Sequence, residues 1–155
     1  MGRAYAEAAL AALATQPAVA SERLDVRRTE FDLPLANPLL VMAQQMGVLR
    51  VRQPVNGAIT TSCTFIDLGA AQIITVPGEL LPRLGFAIKA AMPGPCKTLV
   101  GLADDEIGYI LPDDEFVPPA DYLNPGRQYE ESMSVGPTTG SRILAAAREL
   151  IGDHP

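Results

Sequence analysis

Leu10 and Leu13 stand three positions apart in an alanine-rich stretch, a spacing that predicts a helix over residues 4–15, stopped soon after by Pro17. From Leu24 to Leu33 the apolar residues Leu24, Val26, Phe31 and Leu33 approximate the two-residue period of a strand with one slip, and Pro34 ends it. Asn37 before Pro38 is the start signal of a short helix over Pro38 to Met46. Val48 to Arg52 alternates apolar and basic residues, as a half-exposed strand does, and Pro54-Val-Asn-Gly57 supplies a turn. Ala58 to Leu68 is rich in Ile and Thr and predicts another strand, which reverses at Gly69-Ala70. Ala71 to Val76 is almost wholly apolar and predicts a central strand covered on both faces.

Pro77-Gly78 breaks that strand. Glu79 to Ala91 returns to helical spacing through Leu80, Leu84, Ile88 and Ala91, with Pro82 in the first turn. Lys97 to Leu102 and Ile107 to Leu111 predict two further buried strands around an acidic turn. Pro112 to Arg127, with its four prolines, predicts an ordered surface loop, and Thr139 to Ile151 a final helix carrying Ile143, Leu144, Ala147 and Leu150 on one face. Strands mixed with three to four flanking helices predict an α/β (or α+β) fold with a mixed β-sheet.

At 155 residues the chain suffices for one ordinary core, so one domain over 1–155 is the expectation. Charged residues make up 19% against a usual quarter or so, and mean hydropathy is +0.15, so part of the apolar surplus is expected to meet further protein. The net charge of −6 comes without any basic patch, which argues against nucleic acid as a partner. No apolar run nears the roughly 20 residues of a membrane span. Ala18-Val19-Ala20 superficially resembles a cleavage site, but a single arginine, Arg3, and the interrupting Glu7 make no convincing signal peptide, and compartment is left open.

Four groups of residues bear on chemistry. Glu79 follows the Val76-Pro77-Gly78 bend at the carboxyl end of a buried strand, where open α/β sheets place ligands. There, a first-turn position would keep it ionised and available to a metal, although a glutamate that only stabilises its helix is the commoner case. Tyr129 opens the polar stretch Tyr129-Glu130-Glu131-Ser132; alone it reads as an amphipathic packing residue. Asp104-Asp105-Glu106 could offer oxygen ligands, yet lacks the spacing of a calcium loop and reads more simply as a solvated turn. Cys63 and Cys96 have no CxxC spacing; they are expected to be two buried small hydrophobes, with pairing left open. A Ser-His-Asp triad is not on offer: the sole histidine is His154, next to the C-terminus, and there is no GxSxG turn.

Three segments, TVPGEL (Thr75 to Leu80), GLADDEIGYILP (Gly101 to Pro112) and YEESMSVGP (Tyr129 to Pro137), occur in an order that resembles the neutral/alkaline ceramidases. The GRAYAEA opening and Leu33-Pro-Leu-Ala-Asn37-Pro38 also resemble internal stretches of that family, so the likeness runs along nearly the whole chain. It implies the C-terminal half of the catalytic domain of a zinc-dependent amidase that cleaves N-acylsphingosine to sphingosine and fatty acid. In such an enzyme two histidines from an earlier part of the domain hold zinc together with the glutamate of the PGE turn and the tyrosine of the YE motif, which fall on Glu79 and Tyr129. Zinc would activate a water and polarise the amide, and the Tyr129 phenol would steady the oxyanion. Two departures stand out: Asp104 replaces a usual asparagine, and the histidine-bearing segment is absent. The resemblance therefore implies a catalytically incomplete chain, with an N-terminal half of the same enzyme as partner and a lipid amide as substrate. The alternative is a non-catalytic interaction domain, or split-enzyme subunit, docking with an N-terminal chain.

Overall fold

The computed structural model describes residues 1–15, 21–48 and 57–152. Residues 49–52 of the expected short strand, 54–56 of the turn after it, the 18–20 segment and His154 lie outside the described residues. In chain order come α1 (Gly2–Thr15), β1 (Asp25–Pro34), α2 (Pro38–Gln45), β2 (Ala58–Asp67), β3 (Ala71–Thr75) and β4 (Glu79–Leu80). They are followed by α3 (Pro82–Ala91), β5 (Cys96–Val100), β6 (Tyr109–Ile110), α4 (Tyr129–Ser132) and α5 (Thr139–Gly152). The result is an α+β fold around a mixed sheet, as the alternation of patterns predicts.

The main sheet has the order β1-β2-β3-β5, and β4 and β6 form a small second one. β1 and β2 make an antiparallel ladder from Asp25↔Asp67 to Pro34↔Ala58, and β2 reverses into β3 with Phe65 opposite Ile74. β5 then joins β3 in parallel after the α3 crossover. Alternation decides which face is buried: Ile59, Cys63 and Phe65 on β2, Leu33 on β1 and Ile74 on β3 turn to one side. α5 and α3 close that side with Ile143, Ala147, Leu150, Ile151, Leu84 and Ile88. Burying each of the larger side chains stabilises the fold by roughly 1.5–3 kcal/mol.

Three expectations need correction. β3 has only one face in the core; Ala71, Ile73 and Thr75 on the other are half-exposed, because α3 and α5 pack on the opposite face with Ile74. β5 is a sheet edge with exposed and half-exposed residues, its apolar Val100 turned outward, so its hydrophobic run does not signal burial. The helix expected from Glu79 begins at Pro82. The residue before a proline is driven out of the α region, and Leu81 sits at φ −66°, ψ 147°. Glu79 and Leu80 instead pair with Tyr109 and Ile110, so Glu79 lies in a strand and not in a first helical turn.

Asn37 caps α2 as its sequence context predicts, accepting from the Leu39 and Leu40 amides at 2.9 and 3.3 Å. The proline-rich segment after Pro112 is held by its acids: Asp113 accepts from the Ser141 amide in the first turn of α5 at 2.9 Å, and Asp114 and Glu115 pair with Arg83 of α3. The Arg83 hydrogen bond holds the Asp114 carboxyl below its ordinary pKa. Among the described residues no helix is long and apolar enough to cross a membrane.

The two thiols differ sharply. Both are free; Cys63 is buried in the core and Cys96 is exposed at the start of β5, against the expectation of two buried cysteines. Desolvation, helped by the nearby Asp104 charge, pushes the Cys63 pKa up to about 12, so almost no thiolate exists there at neutral pH. A thiol-reactive reagent is expected to modify one cysteine per native chain, Cys96, and the second only in denaturant. Fast labelling of Cys63 under native conditions, read by mass spectrometry, would contradict this burial.

Candidate functional site

The three segments singled out in the sequence meet beyond the carboxyl end of β3, backbone against backbone. Past Val76 the chain bends at Pro77-Gly78, and the segment after β5 wraps around the bend. The Leu102 amide donates to Gly78 O at 3.1 Å, Ala103 to Val76 O at 3.1 Å, Ile107 to Pro77 O at 2.9 Å, and Glu79 to Gly108 O at 2.9 Å. Tyr109 N then donates to Met133 O at 3.2 Å, adding the third segment. Two glycines make this approach possible. A Cβ on Gly78 would overlap the Gly108 carbonyl oxygen, and one on Gly108, which has φ +87°, would overlap the Met133 carbonyl oxygen.

This stacking sets Glu79 directly opposite Tyr109 in the β4–β6 register. Neighbours in a register share a face, and the Tyr109 phenol lies within hydrogen-bonding reach of the Glu79 carboxylate. Partial desolvation, that hydrogen bond and the Glu79 charge raise the phenol's pKa above its ordinary value, with smaller contributions from Tyr129 and Glu130. The Tyr129 ring meets Tyr109 edge to face, with centroids 5.9 Å apart and planes at 71°. Tyr129 belongs to the one-turn helix α4 rather than to a loop, and it is half-exposed, as Met133 is beside it. Glu79 and Tyr129 are thus gathered into one cluster, with Tyr109 between them. The cluster opens to the surface.

Two residues in this arrangement escape a reading of the sequence. Tyr109 lies inside a segment that draws attention for its acids, and its neighbour Glu79 is paired to it only through a parallel bridge. Asn37 is legible as a helix cap, but its Nδ2 also donates to Ser132 O and Ser134 O, each at 2.8 Å, and the side chain is 1% exposed. One buried amide therefore ties α2 to the backbone that carries Tyr129.

The acidic turn does different work. Asp104 Oδ2 accepts from the hydroxyls of Thr64 and Thr75, both at 2.7 Å, and Asp105 Oδ2 accepts from Thr61 at 3.1 Å. Burial pushes the Asp104 carboxyl up, but the two threonine hydroxyls and the Arg28 charge outweigh it, and its pKa lies below the ordinary value. Asp104 adopts φ 71°, a left-handed conformation that aspartate and asparagine tolerate better than most residues. The turn fastens the wrapping segment to β2 and β3.

Among the described residues, no three His, Cys, Asp or Glu side chains gather as a metal site. The cluster supplies one carboxylate and two phenols, whereas a zinc site takes three or four ligands, among them imidazoles or thiolates. These residues do not by themselves fit a zinc ion. A groove of about 640 Å³ lies at the other end of β3, lined by Arg23, Asp67, Gly69, Gln72 and Pro93 to Pro95. It is not continuous with the cluster.

No family model matches the sequence, and no curated protein matches it. Among solved structures, the neutral ceramidase from Pseudomonas aeruginosa is similar over 63% of this chain, at 17% identity and a TM-score of 0.43. The chain spans 16% of the length of that protein. A likeness of this extent leaves function to be argued from the residues.

Proposed function

We propose that this chain is part of a ceramidase-like amide hydrolase and that, alone, it is catalytically incomplete. The observation that supports this reading is the gathering of Glu79, Tyr109 and Tyr129 at one surface point. They come from the three segments that resemble the ceramidases, and their backbones are locked together by close glycine contacts. In the proposed enzyme Glu79 contributes a carboxylate ligand and Tyr129 a phenol. Tyr109, whose phenol reaches Glu79 directly, competes with Tyr129 for the second role. A phenol O–H is a group that can donate a hydrogen bond to a developing oxyanion. The nitrogen donors would come from another polypeptide segment, supplied in trans, and the substrate would be a lipid amide.

The isolated chain is expected to show no hydrolysis of a fluorescent N-acyl substrate with added zinc. Joined to a segment that supplies two histidines, it is expected to turn the substrate over. Glu79→Ala should then reduce the rate on the order of a hundredfold or more, as loss of a ligand or transition-state donor does. Zinc-dependent turnover by the isolated chain, abolished by Glu79→Ala, would refute incompleteness; a complemented enzyme indifferent to Glu79 would sink the site.

A second reading, a non-catalytic docking module, is favoured by α1. All of its residues are exposed, including Tyr5, Leu10 and Leu13, and a 14-residue helix that buries no side chain is marginal in water. A stable complex that binds no metal and cleaves nothing would favour that reading over the enzyme.

A further inference from the structure

We propose that the outer edge of β1 is a self-recognition surface, on which a second copy of this chain sets its own β1 antiparallel and joins two sheets into one. β1 is a terminal strand of ten residues, paired with β2 along its whole length. Among the described residues no strand pairs its other side, so alternate backbone N–H and C=O groups face outward, a template for another strand.

Charges on an edge usually keep copies apart, but here their order is self-complementary. Val26, Arg28, Glu30 and Asp32 point to the exposed face, and Asp25, Arg27, Thr29, Phe31 and Leu33 towards the core face. A two-fold pairing that keeps both cores on the same side must set exposed residues opposite exposed ones. Four such registers keep most of the strand paired, with Arg28, Thr29, Glu30 or Phe31 on the axis, and the last sets Glu30 against Asp32 of the second copy. Centring on Arg28 puts two guanidiniums face to face. Centring on Glu30 does the same with two carboxylates and brings Pro34 into the ladder. Centring on Thr29 places Arg28 opposite Glu30 of the second copy, twice, and sets the two threonines against each other, pairings that stabilise antiparallel strands. It also puts Phe31 of the second copy opposite Arg27, beside a groove of about 270 Å³ lined by Arg27, Arg28, Thr29, Glu149 and Leu150. Within one chain Arg28 and Glu30 approach only to 3.7 Å, with both side chains about half exposed, so their partnership leaves room for the cross-strand pairs.

Sedimentation equilibrium on the wild-type chain, Arg28→Glu, Glu30→Arg and the double exchange tests this. The wild type is expected to dimerise. Each single reversal turns two attractive pairs into repulsive ones and should weaken the dimer roughly tenfold or more. The double exchange restores the pairs and should restore the dimer. Far-UV circular dichroism checks that every variant is folded, which is expected at exposed positions; Glu30→Arg further leaves the Arg28 attraction for Asp104 in place. A chain monomeric at every concentration, whether because another segment or a different partner covers the edge, overturns the proposal. So does a dimer indifferent to the reversals, or a double exchange as weak as the singles.

Discussion

Asn37→Ala is expected to lower the unfolding free energy by about 3–4 kcal/mol, measured by denaturant unfolding. The side chain is 1% exposed and spends its whole hydrogen-bonding capacity: Oδ1 on the amides of Leu39 and Leu40, Nδ2 on the carbonyls of Ser132 and Ser134. Losing the cap alone costs about 1 kcal/mol. The rest comes from two carbonyls left without a donor on buried residues, at roughly 1 kcal/mol or more each. Asn37→Ser keeps a cap acceptor and is expected to recover about 1 kcal/mol of the loss. Asn37→Asp keeps the cap too, but turns a carboxylate oxygen toward two carbonyl oxygens, so it should not approach the wild type. A loss under about 1 kcal/mol for Asn37→Ala would mean that water replaces the lost donors, and that this amide does not hold the Tyr129 segment.

Gly108→Ala should be at least as damaging, by about 3 kcal/mol or more, through two separable causes. The residue has φ +87°, which costs an alanine about 1–2 kcal/mol, and its new methyl would overlap the Met133 carbonyl oxygen. Gly126 separates the two. It too has positive φ, at 60°, but a methyl there meets nothing within 4 Å, so Gly126→Ala should cost only the conformational part. The excess at Gly108 then measures the closeness of the β6 and Met133 backbones. Because the chain has four tyrosines and no tryptophan, near-UV circular dichroism gives a local readout. Gly108→Ala is expected to lose the tyrosine signal of the Tyr109–Tyr129 pair, and Gly126→Ala to keep it. Equal losses at the two glycines would show that the three segments are not packed this tightly.

Asn37 and Glu79 mark the line between what a sequence carries openly and what it does not. Asn37 before Pro38 is legible as a cap because capping is a conversation between residues two and three positions apart. Its second task is invisible, because Ser134 is 97 positions away. Glu79 shows the opposite failure. Leu80, Leu84 and Ile88 have helical spacing; Pro82 is a local sign that the helix starts no earlier, but that Glu79 and Leu80 form a strand is decided only when Tyr109 and Ile110 arrive alongside. The exposure of Cys96 and Val100 has the same origin, since an apolar run does not say whether a strand will have neighbours on one side or on both.

By itself the sequence determined the elements whose signals are local. These are the alternating strands β1 and β2, the capped α2, the one-sided α5 and the breaks at Pro77-Gly78 and Pro112, together with the choice of Glu79 and Tyr129 as residues to watch. Tertiary structure alone decided that Tyr109 stands between those two, that Asp104 and Asp105 are spent on threonines, and that among the described residues no strand pairs the outer side of β1. The reason is physical: periodicity and capping depend on the next few residues, whereas parallel pairing, glycine contacts and buried amide bridges join segments that meet only once the chain has folded.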